Sequence, residues 1–218
     1  MVRIVGLALG FSLAASVAAA CARAICVVPP ETLPLAHVIT FDDQPSGMGP
    51  GIEHRDVLVL DGAQFGEHFH GQIRGAVGDF DVIAGQALAP LALRPGPAGE
   101  LFSIHRLGPS NVINGFGPAR FPKREAQGEG ALAVLFDDDQ PALSFDILGG
   151  EDGTALITFL RRDGTVIDAV ELTPLSDREF GFMRQGLRPD IAGFVITNTD
   201  PEGIAVDNLR FGAVPQLG

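Results

Sequence analysis

Two histidines one residue apart, His68 and His70, are the side chains of this chain whose type and spacing best suit a transition metal. On an extended strand residues i and i+2 share a face, so two imidazoles there reach one ion. Catalysis needs at least one more donor. Gln72, Ile73, Arg74 and Gly75 follow without a carboxylate, and Arg74 is a cation, which leaves His105 as the distant third ligand. The same alternation sets Phe65, Glu67 and Phe69 against Gly66, His68 and His70. If the Phe row faces a core, both histidines face solvent, and surface histidines are the plainer expectation.

Carboxylates offer a second chemistry. Asp42 and Asp43 end one expected strand, Asp137 to Asp139 end another, and Asp207 lies within the last. Strict alternation groups Asp207 with Ala205, Leu209 and Phe211, and a carboxylate among apolar neighbours needs a cation or donated hydrogen bonds. Calcium, which takes carboxylate and carbonyl oxygens in flexible loops, is the expected cofactor; an Arg partner or a turn-capping role is the alternative. No Gly-x-Ser-x-Gly and no His-Glu-x-x-His occurs, and both cysteines lie near the N-terminus. With 27 acidic residues, no carboxylate pair can be singled out for glycosidase chemistry.

The elements that must position these groups read as strands. Gly (28) and Pro (16) punctuate short apolar runs, and no segment carries a helical stripe over three turns. Strands are expected at 38–42, 56–60, 64–70, 79–84, 101–106, 131–136, 142–148, 155–161, 165–172, 179–183, 191–198 and 204–211. So many short strands imply an all-β fold, a two-sheet antiparallel β-sandwich. Arg162-Asp163-Gly164 predicts a tight hairpin with a two-residue type I′ turn. The stretches 90–99 and 108–130 read as excursions off the sandwich.

Arg3 followed by an apolar run to Ala20 predicts a secretory signal peptide within residues 1–24, cleaved after Ala20 or Ala24. A short N-terminal extension, 25–36, a sandwich domain, 37–212, and a tail, 213–218, are expected to follow. No later segment has the ~20 apolar residues of a transmembrane span. Cys21 and Cys26 either close a local loop or leave a free thiol, and cleavage before Cys21 would also suit lipidation. The net charge of -12 repels polyanions, which excludes nucleic acid as a partner. Trp and Tyr are absent while Phe occurs 15 times, so the usual sugar-stacking rings are missing.

From Val38-Ile39-Thr40-Phe41-Asp42-Asp43 to Gly203-Ile204-Ala205-Val206-Asp207-Asn208-Leu209-Arg210-Phe211-Gly212, the chain resembles secreted bacterial jelly-roll domains found in exosortase-sorted (PEP-CTERM) proteins. These are similar to carbohydrate-binding-module and galactose-binding-like sandwiches. Phe159-Leu160-Arg161-Arg162-Asp163-Gly164, Phe180-Gly181-Phe182 and Ile191-Ala192-Gly193 add to the likeness, and Val214-Pro215 starts like a sorting tail, without the apolar helix and basic finish. The resemblance implies adjacent first and last strands, bringing Asp43 near Asp207 and Asn208 as calcium ligands. Separately, Gly62-x5-His68-x-His70 resembles the first half of the cupin motif.

The resulting expectation is an exported, non-catalytic β-sandwich module, periplasmic, cell-surface or extracellular, that binds a glycan or matrix component with a structural calcium. One alternative is a cupin-like metal-dependent enzyme using His68 and His70. The other is a ligand-free structural protein of the envelope.

Overall fold

The computed structural model describes residues 21–96 and 102–213. The leader expected over residues 1–20 and the tail at 214–218 lie outside the described residues. In chain order the strands are β1 (Ile25–Val28), β2 (Leu35–Ile39), β3 (Ile52–His54), β4 (Leu58–Leu60), β5 (Ala63–Gly66), β6 (Ile73–Val77) and β7 (Phe80–Ala84). They continue with β8 (Phe102–Leu107), β9 (Ser110–Phe116), β10 (Gln127–Gly130), β11 (Leu132–Gln140) and β12 (Ala142–Leu148). The last five are β13 (Ala155–Leu160), β14 (Val166–Leu172), β15 (Arg178–Arg184), β16 (Ile191–Asn198) and β17 (Ala205–Ala213). No helix among the described residues is long and apolar enough to cross a membrane.

The larger sheet runs β1-β15-β12-β17-β9-β8-β3, with β10 added on β9 and β2 on β17. The smaller runs β14-β13-β16-β11-β5-β4, and β6 and β7 form a separate ribbon. The sheets are antiparallel and pack as a sandwich, as the alternating pattern predicts. Strand β2, where the sequence places its first strand, lies beside the last, β17, with Ile39 opposite Leu209.

Phenylalanine fills the space between the sheets. Phe145 and Phe182 of the larger sheet meet Phe194 and Phe159 of the smaller, with ring centroids 5.4 Å apart for Phe145 and Phe194 and 5.2 Å for Phe159 and Phe182. Of the described phenylalanines, all but Phe80 and Phe121 are buried. Burying each such ring contributes on the order of 2–3 kcal/mol.

The smaller sheet is also covered on its other face. Ala131, Ala133, Leu135, Ala192 and Val195 point away from the Phe core and pack under Phe69, Leu91 and Leu93. This covering explains one departure from the expected strands. The run 64–70 is not one strand: after Gly66 the chain leaves β11 and bonds to a neighbouring segment, His70 N–H to Ala92 O at 2.9 Å and Arg94 N–H to His68 O at 3.0 Å. The excursion expected at 108–130 contains β9, whose Asn111 and Asn114 gave it a loop-like composition.

Within the stretch expected as an extension, Ile25–Val28 is an edge strand on β15. Cys21 and Cys26 form a disulfide beside it. Arg184, 1 % exposed, donates to Ala24 O at 3.0 Å and to Asp190 at 2.7 Å, and Arg23 pairs with Asp168 at 2.8 Å. Residues 21–24 are thereby tied to the sandwich.

The β13–β14 hairpin lies where the sequence predicts it, but its turn differs. Gly164 has φ +80° while Asp163 is not in the left-handed region, Gly164 N–H bonds Arg161 O at 2.9 Å, and the register shifts at Leu160. This is a three-residue loop closed by a glycine bulge, not a type I′ turn. Asp163 accepts from Thr165 N–H at 2.9 Å, which stabilises the loop without a positive φ at Asp163. A Cβ on Gly164 would also meet Ala87 O. Gly164→Val is expected to destabilise the protein by about 2 kcal/mol or more, read as the shift in a urea midpoint; an unchanged midpoint would show that neither constraint operates.

Candidate functional site

The centre of the smaller sheet, β11 and β16, is covered on both faces, whereas the outer face of the larger sheet carries a row of polar side chains. Phe102, Ile104 and Ile113 face the core, so alternation turns Ser103, His105 and Asn114 outward on β8 and β9. His105 Nδ1 lies 2.8 Å from Asn114 Oδ1, and Ser103 Oγ donates to the same oxygen at 3.0 Å. Burial holds the His105 pKa below the ordinary histidine value, so the ring is neutral at pH 7. Nδ1–H then donates to Asn114, leaving Nε2 as an acceptor. Asn114 is 2 % exposed, and its Nδ2 has no hydrogen-bond partner.

His105 and Asn114 line a cleft of about 480 Å³ with Arg106, Arg124, Gln127 and Glu202 on its other walls. That volume is in the range of small-ligand sites. The segment around Gly47 to Gly49 forms one wall: Arg106 N–H bonds Gly47 O at 2.9 Å, and Gln127 Nε2 crosses to Gly49 O at 3.0 Å. Arg106 and Arg124 make no ion pair or side-chain hydrogen bond among the described residues. Among the described residues no phenylalanine lines the cleft. It presents amide, imidazole, guanidinium and carboxylate groups, which can donate and accept hydrogen bonds.

His68, His70 and His105 are not brought together. His105 is on the outer face of the larger sheet, whereas His68 lies beyond the smaller one. His68 is 6 % exposed and His70 is exposed, so the expected common solvent face is corrected: the chain has left the strand after Gly66 and alternation no longer applies. His68 Nδ1 is 3.3 Å from Glu67, and Glu67 is 3.2 Å from Arg74, which also reaches Asp81 at 3.5 Å. Asp81 accepts from Ala131 N–H at 3.1 Å, and burial pushes its pKa up to about 6. This buried group anchors the β6–β7 ribbon over the smaller sheet.

Asp207 also departs from strict alternation. Asp146 pairs with Asp207 but Ser144 with Arg210, so β17 carries one extra residue, and Asn208 takes it up at φ +49°. Val206, Leu209 and Phe211 consequently face the core, and Asp207 turns to the outer face beside Asp146. It stays 4 % exposed, and Oδ1 accepts Asn208 N–H at 2.7 Å. Asn208 Nδ2 in turn donates to Asp146 at 2.6 Å. Burial, then the charges of Asp146 and Asp42, pushes Asp207 up to about 6. Asp42, not Asp43, is the carboxylate felt there: Asp43 is exposed and accepts from Gln44, while Asn111 N–H holds Asp42 at 2.9 Å. Among the described residues no three His, Cys, Asp or Glu side chains form a preassembled metal set.

No family model matches this chain, and no curated protein matches it. The sequence reading missed Asn114 and Gln127. The available signal was the alternation Ser103-Ile104-His105, but the pairing of β8 with β9 is what makes a site of it.

Asp207 supplies a test of sign. Its folded pKa of about 6 lies above the ordinary 3.8, so the native state holds the extra proton and stability falls as pH rises from about 4 through 6. Asp207→Asn keeps an acceptor for Asn208 N–H and removes the charge. The variant should match wild type at pH 4 and exceed it by on the order of 2 kcal/mol at pH 8 in chelator, measured by urea denaturation. A variant less stable at pH 8 would mean that a cation or Arg compensates Asp207.

Proposed function

We propose that this protein is an exported, non-catalytic β-sandwich module that binds a glycan of the cell envelope or matrix in the cleft over β8 and β9. The observation that carries the reading is the His105 imidazole on the cleft wall, whose Nδ1 is held by Asn114 so that Nε2 is left as an acceptor in a cleft also lined by Gln127 and Arg106. Sugar hydroxyls both donate and accept, which suits an imidazole acceptor with amide and guanidinium donors in the same cleft. Without an aromatic platform, recognition rests on hydrogen bonds, and Arg106 and Arg124 favour saccharides bearing carboxylates.

Absence of catalysis is argued from the same groups. Ser103 is fully buried and donates to Asn114, not to a base, so it is not arranged as a nucleophile. Export is supported by the apolar N-terminal run and by the Cys21–Cys26 disulfide, since such bonds persist in oxidising compartments. Cleavage after Ala20 would retain that disulfide and the Arg23–Asp168 pair, whereas cleavage after Ala24 would discard both.

The test is a panel of neutral and uronate-containing oligosaccharides titrated calorimetrically into the purified protein. Binding is expected, strongest for the acidic sugars. His105→Ala should weaken it about tenfold, the value of one hydrogen bond of ~1.4 kcal/mol, without lowering the melting temperature. Failure of the whole panel, or binding indifferent to His105→Ala, would overturn the assignment and leave the ligand-free structural reading.

A further inference from the structure

A second pocket, of about 530 Å³, lies next to the cleft and is lined by Asp79, Arg124, Glu125, Glu129, Pro201 and Glu202. Four carboxylates therefore face one guanidinium. They come from four separate places: Asp79 from the tip of the β6–β7 ribbon, Glu125 from the 3₁₀ turn Arg124–Ala126, Glu129 from β10, and Glu202 from the turn before β17. The crowding is built into the backbone. A Cβ on Gly117 would sit 2.6 Å from Asp79 O and 3.0 Å from Glu129 Cβ, so Gly117 is what lets the ribbon tip approach Glu129.

Glu129 differs from its neighbours in being 6 % exposed, while Asp79, Glu125 and Glu202 are exposed. Its Oε2 has no hydrogen-bond partner. Arg124 does not compensate it, because among the described residues Arg124 makes no ion pair. A carboxylate oxygen buried without a partner disfavours the ionised form, and like charges close by add to that. Either a proton or a cation must neutralise this group.

We propose that this pocket is a calcium site, with Glu129 as the fixed ligand on which Asp79, Glu125 and Glu202 close. Oxygen donors alone select a hard cation, and the absence of His and Cys from the pocket argues against zinc. Ligands carried on separate exposed turns suit the variable geometry of calcium better than the strict octahedron of magnesium. The carboxylates do not already converge, so ligation requires the exposed acids to rotate onto Glu129. That reorganisation fits the weak end of protein calcium sites, with Kd on the order of 10⁻⁴ to 10⁻³ M. The ion would join the ribbon tip to β10 and to the turn at Pro201 and Glu202. This assignment does not rest on the glycan reading, although Arg124 and Glu202 line both pockets.

The experiment is calorimetric titration of the exported protein with CaCl2, with MgCl2 as control and with melting curves in calcium and in EDTA. Wild type should bind calcium in preference to magnesium and melt higher in calcium. Glu129→Gln and Asp79→Asn should each weaken calcium binding at least tenfold, and Glu129→Gln should melt no lower than wild type in EDTA, because a buried charge has been removed. Asp79 is exposed, so its variant remains informative if Glu129→Gln fails to fold. No calcium binding by wild type would overturn the proposal and leave a proton as the neutralising ion. Calcium binding undiminished in either variant would also overturn it.

Discussion

Burial of the centre of the smaller sheet, β11 and β16, on both faces is the constraint from which the rest of the structure follows. On one side the phenylalanines of this sheet interleave with those of the larger sheet. On the other, Phe69, Leu91 and Leu93 press onto Ala131, Ala133 and Leu135. Small residues on that outer side let the covering segment sit close, and the apolar area removed from water there supports a second core. The cleft lies on the opposite side of the molecule, on the outer face of the larger sheet, and among the described residues no aromatic ring other than His105 lines it.

The covering segment also has to be held, and charge does that work. Glu67, His68, Arg74 and Asp81 form a buried group between the ribbon and the smaller sheet, and Asp81 is further fixed by Ala131 N–H. The edge of the larger sheet is managed in a similar way. Strand β1 is tied by Arg184 and by the disulfide at its start, which leaves less of an open edge for pairing with another chain.

The fold class was legible because period-2 alternation survives in most strands, as in Leu143, Phe145 and Ile147 against Ser144 and Asp146. The hairpin at Gly164 was legible in place but not in type, since Asp-Gly serves both a type I′ turn and a glycine bulge, and only backbone angles separate them. Asp207 was misplaced because a single left-handed Asn208 reverses the parity of β17; Asn tolerates that conformation better than most residues, but its presence in a strand does not by itself mark a bulge. Strand β9 was hidden for a related reason: Asn111 and Asn114 look like loop residues until the fold supplies them with partners from Phe41 to Gln44 and from β8. The cleft was illegible because its walls come from segments far apart in sequence. Gln127 meeting Gly49 is a consequence of topology, not of local pattern.

The outer face of β8 and β9 is the proposed binding face. The most direct test is nuclear magnetic resonance mapping of the labelled protein during titration with a uronate-containing oligosaccharide. Binding on this face should shift the His105 ring first, together with Gln127 and Arg106, while the His68 and Asp81 region stays unmoved. Shifts centred on the β6–β7 ribbon, or a spectrum unchanged at saturating sugar, would contradict it.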